Sequence, residues 1–200
     1  MSGNKAELRE AILAARRAVP AHEHDAEAHA LALHAANLVE DGQTVCAYAP
    51  VGSEPGSLEL VDVLHRRRVR VLLPVAHREA ADSPGPLRWG DYVPGELVRA
   101  RFGLLEPAQP WLPPETVAVA SLLLVPALAV DRFGVRLGRG AGFYDRTLPL
   151  ASPSARRVAV VRDDEIVDRL PTEPHDIAMT HALTPRRGPV PLGAGMRPTT

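Results

Sequence analysis

The sequence is short of cysteine and of long apolar runs, and each shortage excludes a class of protein. Its 200 residues include one cysteine, Cys46, so no disulfide can form within the chain. That cysteine lies in the apolar stretch VCAYAP, which is typical of a buried, unreactive thiol. No run of about 18 apolar residues is present to span a membrane. The N-terminus, MSGNKAELREAIL, lacks the apolar core of a signal peptide, so we expect a cytoplasmic protein.

Net charge is also nearly absent, which bears on the class of partner. The chain has 23 basic and 24 acidic residues, a net charge of −1, so no overall field attracts nucleic acid or a membrane. The basic run HRRRVR (65–70) has no interleaved aromatic residues and is expected at a helix end. Four histidines between positions 22 and 34 lack the spacing of a zinc site. We therefore expect no nucleic-acid or membrane partner. Small-molecule partners and a monomer are our further expectations.

What the sequence does have is enough apolar material for one domain. Hydrophobic residues make up 46% of the chain, and a chain of this length buries roughly 70% of its unfolded surface. Helical periodicity predicts two helices within residues 1–40, and strands and helices follow over 44–184. Residues 185–200 are rich in proline, glycine, arginine and threonine, so we expect a flexible tail after a single domain of residues 1–184.

The pattern of strands predicts an α/β fold. TVCAYAP (44–50), a helix at 58–68 and RVLLPVA (70–76) form one strand–helix–strand unit, and such units build parallel sheets. The most apolar run, SLLLVPALAV (121–130), is expected to be one central strand. Further strands are expected near residues 87–89, 98–105, 156–161 and 177–184.

One stretch combines glycine with charge. GVRLGRGAGFYDR, residues 134–146, holds four of the fifteen glycines and is called the glycine loop below. It lies between the predicted central strand and a helix from about Phe143, where free N–H groups favour an anion. Arg136 and Arg139 add donors suited to phosphate oxygens, and Asp145 is a possible Mg²⁺ ligand. The pattern favours polyphosphate binding, although it matches neither GxxxxGK[ST] nor GxGxxG.

The stretch PALAVDRFGVRLGRGAGFYDRTL resembles the signature of the 5-formyltetrahydrofolate cyclo-ligase family, also called methenyltetrahydrofolate synthetase. KAELR (5–9), YAPVGSEPGS (48–57), FGLLEP (102–107) and PHDI (174–177) are similar to further family motifs, in the same order. Two positions depart from the pattern. Phe143 replaces a tyrosine, and Gly56-Ser57 replaces a frequent Glu-Thr pair.

The resemblance implies a fold and an activity. The fold would be a three-layer α/β/α domain with a mostly parallel sheet, like ribose-phosphate isomerases and CoA-transferases. The activity would be Mg²⁺- and ATP-dependent conversion of 5-formyltetrahydrofolate to 5,10-methenyltetrahydrofolate, ADP and phosphate, a ligase reaction that forms a C–N bond. Phosphorylation of the formyl oxygen would create a leaving group for attack by N10.

The resemblance also implies site residues. The ATP-binding residues would be Lys5, Ala6, Glu7, Leu8, Arg9, Arg136, Leu137, Gly138, Arg139, Gly140, Ala141, Gly142, Phe143 and Tyr144. The folate-binding residues would be Ala49, Glu54, Arg139, Gly140, Ala141, Gly142 and Phe143, and Phe102 could stack on the pterin. Arg139 and Tyr144 would be catalytic, and Asp145 and Asp176 would bind Mg²⁺.

Two other functions fit parts of the sequence. A sugar-phosphate isomerase of similar architecture would need no ATP and would leave Asp145 and Asp176 without a purpose. A folate- or nucleotide-binding paralogue without catalysis would bind the ligands but would not turn them over. Formation of methenyltetrahydrofolate, with and without Mg·ATP, distinguishes all three.

Overall fold

The computed structural model of the protein describes residues 5–76, 85–100, 103–173 and 176–193. The α-helices in these ranges are α1 (Lys5–Arg17), α2 (Ala21–Ala36), α3 (Glu59–Arg66) and α4 (Phe143–Thr147). The strands are β1 (Thr44–Cys46), β2 (Arg70–Val75), β3 (Arg88–Asp91), β4 (Leu97–Arg99), β5 (Leu105–Pro107), β6 (Leu122–Pro126), β7 (Ala129–Asp131), β8 (Arg136–Leu137), β9 (Arg156–Val160), β10 (Ile166–Val167), β11 (His181–Thr184) and β12 (Gly188–Pro191). Helices of the 3-10 type cover Pro114–Val119, Leu148–Leu150 and Asp163–Glu165.

A seven-stranded sheet forms the centre of the molecule. Its order is β12-β11-β9-β6-β1-β2-β3, and the five inner strands are all parallel to one another. The edge strands β3 and β12 pair antiparallel with their neighbours. β6 lies in the middle, and all but the last of its residues are buried, as expected for a strand covered on both faces. The predicted α/β class with a mostly parallel sheet is confirmed.

Helices cover both faces of this sheet. Successive side chains of a strand point to opposite faces. Val45 therefore packs with Leu31 of α2 and Leu60 of α3, whereas Cys46 packs on the other face with Val117 and other residues of the short helices. The result is three layers. The thiol is buried, and burial raises its pKa, as expected of an unreactive cysteine.

A smaller sheet, β10-β7-β8, carries the start of the glycine loop. Helix α1 packs against it, with Leu8, Ile12 and Leu13 on a cluster that includes Leu128 and Leu137. This contact holds the N-terminal helix beside the glycine loop, although the loop begins 117 positions after the helix ends, at Gly134 and Arg17 respectively. No helix within the described residues has the length and apolar character needed to cross a membrane.

The prediction of one central strand over residues 121–130 was wrong. The run forms two strands, β6 and β7, that belong to different sheets. Pro126 has no N–H to continue the first ladder. Beyond it, the Leu128 N–H donates to the Leu137 carbonyl at 2.8 Å, and the Ala127 carbonyl accepts from Arg16 at 2.7 Å. These bonds turn the chain out of the central sheet and into the smaller one.

Two other boundaries differ from the prediction. The chain after residue 184 is not simply a tail, because β12 pairs antiparallel with β11 along four residues. Proline is tolerated there because an edge strand needs hydrogen bonds on one side only. The strand expected at 98–105 is instead two antiparallel strands, β4 and β5. Residues 194–200 lie outside the described part of the chain.

Candidate active site

A cleft of about 950 Å³ lies at the carboxyl ends of the parallel strands. Its lining includes residues that directly follow three neighbouring strands, namely Tyr48 and Ala49 after β1, Ala76 after β2 and Ala127 after β6. The glycine loop and the β4–β5 hairpin also line it. Open α/β sheets bind ligands at this edge, so the cleft is the candidate site.

Asp131 stabilises the start of the glycine loop by accepting hydrogen bonds from backbone N–H groups. Its Oδ1 accepts hydrogen bonds from the N–H groups of Phe133 at 2.9 Å and Val135 at 2.8 Å, and its Oδ2 accepts one from Leu170 at 3.0 Å. Gly134 has a φ of 89°, and a Cβ there would lie 2.3 Å from the Met179 carbonyl oxygen. A side chain at this position would therefore displace the backbone. The sequence identified Asp131 only as part of a motif, and the structure gives it a positioning role.

Arg136 lies at the base of the loop with only 8% of its side chain exposed. It is paired with Asp145, and its guanidinium lies 5.9 Å from the ring centroid of Tyr144. Burial lowers the pKa of Arg136, while the charges of Asp145, Tyr144 and Asp176 oppose that shift. In the described part of the chain its Nη1 is buried without a hydrogen-bond partner. A buried, unsatisfied cationic N–H facing a cleft is a site for an anionic ligand.

The Tyr144 hydroxyl is likewise buried, and no described residue accepts its hydrogen bond. Burial raises the pKa of Tyr144 far above its ordinary value, and the Glu54 carboxylate adds to the shift. The phenol is therefore neutral at physiological pH. Tyr144 can donate a hydrogen bond into the cleft, but it cannot serve as a general base.

Arg139 reaches across the cleft to Glu54. Its Nε lies 3.2 Å from the Glu54 Oε1, and half of the arginine side chain remains exposed. The other Glu54 oxygen accepts the Val51 N–H at 3.0 Å. Burial raises the pKa of Glu54, and Arg139 is the strongest influence that lowers it. The residue expected on phosphate and the residue expected on folate are thus in direct contact.

The first turns of helix α1 lie outside the cleft. The Arg9 Nε donates to the Gly138 carbonyl at 2.9 Å, and Gly140 lies against the same guanidinium. Lys5 Nζ lies 2.7 Å from Glu173, whose N–H donates to Asp176 at 2.7 Å. None of residues 5–9 is among those that line the cleft. The structure thus places Arg9 against the outer side of the glycine loop and Lys5 beside Glu173.

Other predicted residues divide into two groups. Those that line the cleft are Ala49, Glu54, Arg136, Gly138, Arg139, Gly140, Ala141, Gly142, Phe143, Tyr144 and Asp145. Leu137 does not, because its side chain packs in the core beneath α1. Asp176 is also absent from the lining, although its charge acts on Arg136. Phe102 lies outside the described residues.

Several other lining residues were not predicted as site residues. Arg16 is buried at the base of the cleft, where Nε and Nη2 bind the two Glu165 oxygens at 2.6 and 2.7 Å. Glu106 is buried in the wall formed by β5, and Trp111 is a further lining residue. Glu106 belongs to the FGLLEP motif, which carried no predicted role for it, and an arginine late in a helix has no local pattern that marks it as a site residue.

Gly56 departs from the family motif for a visible reason. Its φ is 100°, a conformation that favours glycine, and a Cβ there would lie 3.2 Å from Pro50. The glutamate frequent at this position would be strained on this backbone. The segment after Glu54 therefore takes its own local conformation.

Comparisons with known proteins identify the family to which the sequence is similar. The model of the 5-formyltetrahydrofolate cyclo-ligase family matches residues 1–185. A 5-formyltetrahydrofolate cyclo-ligase of Mycolicibacterium smegmatis is 59% identical over 189 residues, 94% of this chain and 97% of the relative. One from Escherichia coli is 34% identical over 146 residues, 72% of this chain and 79% of the relative.

Solved structures support the fold. A 5,10-methenyltetrahydrofolate synthetase of Aquifex aeolicus superposes with a TM-score of 0.70 at 23% identity, over 98% of this chain and 96% of the other. A synthetase of Mycoplasma pneumoniae gives 0.68 at 18% identity, over 88% and 96%. These features define a class of α/β protein in which a glycine-rich loop faces a buried carboxylate across a cleft. The chain belongs to the 5-formyltetrahydrofolate cyclo-ligase family.

Proposed function

We propose that the protein catalyses the ATP-dependent cyclisation of 5-formyltetrahydrofolate to 5,10-methenyltetrahydrofolate, with release of ADP and phosphate. The observation that carries the proposal is the 3.2 Å contact between Arg139 and Glu54. It brings the arginine of the glycine loop to the carboxylate that family resemblance assigns to folate. A relative that carries this activity in its name is 59% identical over 94% of this chain.

The reaction needs positioning more than it needs a protein nucleophile. The formyl oxygen attacks the γ-phosphorus, and ADP leaves with the electron pair of the broken P–O bond. N10 then attacks the formyl carbon, the carbon–oxygen bond to phosphate breaks, and the N10 proton is lost. Phosphoryl transfer of this kind depends on orientation and on neutralising the charge of the transferring group.

The arginines of the cleft fit that demand. Arg136 has a buried, unsatisfied N–H available to an anionic ligand, and Arg139 is exposed enough to move between Glu54 and a phosphate. We assign Arg139 to the transferring phosphoryl group, and Tyr144 to a hydrogen bond donated within the cleft. Lys5 and Arg9, with the helix turn between them, would reach the ATP phosphates from the outer side of the loop.

The acidic residues fit a magnesium ion that arrives with ATP. Mg²⁺ commonly takes one or two protein carboxylates and completes its shell with water and phosphate oxygens. Asp145 and Asp176 both lie near Arg136, and no cluster of three or more metal-binding side chains occurs within the described ranges. Asp145 and Asp176 would hold the ion, which would neutralise phosphate charge. A dedicated protein cage is not needed for this role.

Near-ultraviolet absorbance of methenyltetrahydrofolate tests the proposal. Purified protein with 5-formyltetrahydrofolate should form the product only when Mg·ATP is present, with one ADP released for each product. Binding of both ligands without product would favour the non-catalytic paralogue. A sugar-phosphate isomerase would show neither binding nor product. A monomer and a cytoplasmic location remain predictions, and sedimentation velocity with and without ligands tests the first.

A further inference from the structure

Four acidic side chains are buried among the described residues, and three of them are well compensated. Glu54 is paired with Arg139, and Glu165 accepts two hydrogen bonds from Arg16. Asp131 accepts three backbone N–H groups. Burying a carboxylate is costly without such partners, so each of these arrangements is expected. The fourth, Glu106, is the exception.

Glu106 is 8% exposed and lies in the cleft wall on β5. Its Oε1 accepts the Ala76 N–H at 2.9 Å. No described lysine, arginine or histidine lies within ion-pair distance of it, and no second hydrogen bond to its carboxylate occurs among the described residues. A carboxylate has about four acceptor positions, so most of its capacity remains for a molecule in the cleft.

The position of Glu106 indicates which molecule that is. Its hydrogen-bond donor, Ala76, directly follows β2, and β2 is the neighbour of β1 in the sheet. The segment after β1 carries Ala49 and Glu54, the proposed folate residues. Glu106 is therefore held beside the folate side of the cleft, whereas the proposed phosphate contacts lie on the glycine loop.

We propose that Glu106 is a second carboxylate of the folate subsite and accepts hydrogen bonds from N–H groups of the reduced pterin ring. That ring offers several donors, on its 2-amino group, N3 and N8, which is more than Glu54 alone can satisfy. This assignment rests on the proposed function for the identity of the ligand. Trp111, on the same cleft, supplies an apolar surface for a flat ring.

The variant Glu106→Gln separates recognition from a merely structural role. Glutamine keeps an oxygen for the Ala76 N–H and nearly the same volume, but it removes the charge. Hydrogen bonds to charged groups are worth enough that affinity for 5-formyltetrahydrofolate should fall roughly ten- to a hundredfold. The KM for ATP should stay within about twofold of wild type, because Glu106 lies away from the proposed phosphate contacts. Glu115→Gln, on the exposed surface of the Pro114–Val119 helix, is the matched control.

Calorimetric titration of 5-formyltetrahydrofolate without ATP gives a readout that does not depend on turnover. The Glu106→Gln variant should lose folate affinity in this titration and keep the wild-type melting temperature. Unchanged folate binding would overturn the assignment and leave Glu106 as an anchor of β5. A raised KM for ATP alone would overturn it in favour of an adenine contact. If wild-type protein binds folate but forms no product, the proposed function fails while the titration still tests Glu106.

A second variant covers the case in which Glu106→Gln does not fold. Glu106→Asp keeps the charge and withdraws it by one methylene, so it should also weaken folate binding and leave ATP binding unchanged. Folate affinity equal to wild type in a folded Glu106→Asp protein would contradict a direct contact.

Discussion

The two sides of the cleft differ in how the chain builds them. The proposed nucleotide side is one continuous stretch, the glycine loop, supported by α1. The proposed folate side is assembled from the segment after β1, the end of β2 and strand β5. A continuous stretch displays its glycines and charges as a pattern, whereas an assembled wall does not. Residues suited to phosphate are therefore easier to recognise in the sequence than residues suited to the second substrate.

The largest effect is expected at the end of the glycine loop. Asp145→Asn should lower turnover on the order of a thousandfold, because it removes a proposed metal ligand whose ion supplies several kcal/mol to the transition state. The folded structure should persist, since the Asp145 side chain is 39% exposed. Steady-state kinetics over a range of Mg²⁺ concentrations, with a melting curve, measures both. Asp168→Asn, at a largely exposed carboxylate, is the control, and wild-type turnover in Asp145→Asn would refute the metal role.

The second largest effect is expected at Arg139, which contacts Glu54 and which we assign to the transferring phosphoryl group. Arg139→Ala should reduce kcat roughly a hundredfold if the guanidinium stabilises the transferring phosphoryl group. The KM for ATP should change much less. Arg132→Ala, an exposed arginine just before the loop, should leave kcat unchanged. If kcat survives in Arg139→Ala and only ATP binding weakens, Arg139 is a clamp for the bound nucleotide.

A smaller effect concerns the pH dependence of the folate side. Glu54 must be ionised to accept pterin N–H groups, and burial raises its pKa while Arg139 opposes the shift. Folate affinity should therefore be lost as pH falls through this raised pKa. Removing the Arg139 charge raises the pKa further, so in Arg139→Ala the loss should occur at higher pH. Folate titrations from about pH 5 to about pH 8 measure the midpoint, and identical midpoints would show that the ion pair does not matter.

The smallest effect is expected on α1. Mg·ATP should slow hydrogen exchange of the amides of residues 5–12, because ligand binding lowers the population of locally open states. Lys5→Ala should lose part of this protection. Equal exchange with and without nucleotide, under conditions in which ATP binds, would mean that α1 supports the loop but takes no part in binding.

The sequence predicted the fold where the pattern was local. The parallel unit of β1, α3 and β2 is confirmed, and Ser57 Oγ accepts the Glu59 N–H at 3.3 Å at the helix start. The run 121–130 was misread because periodicity cannot show that Pro126 ends one ladder and that the next bonds belong to another sheet. Tertiary hydrogen bonds decided that boundary.

The candidate site shows the same division. The site residues predicted on the glycine loop all line the cleft except Leu137, which packs in the core, and their roles stay predictions. The contacts of Arg16 with Glu165 and of Glu106 with Ala76 could not be predicted, because each joins residues at least 30 positions apart in the chain. Whether a buried charged group has a partner depends on the folded structure, so it cannot be predicted from the spacing of residues in the sequence.

We propose that the reaction proceeds by transfer of the γ-phosphoryl group of ATP to the formyl oxygen of the folate. Isotope transfer tests it most directly. 5-Formyltetrahydrofolate labelled with ¹⁸O in the formyl group is converted with unlabelled Mg·ATP, and the released phosphate is analysed by mass spectrometry. We expect one ¹⁸O atom in each phosphate, because the oxygen leaves carbon still bound to phosphorus. Unlabelled phosphate, formed together with methenyltetrahydrofolate, would contradict it.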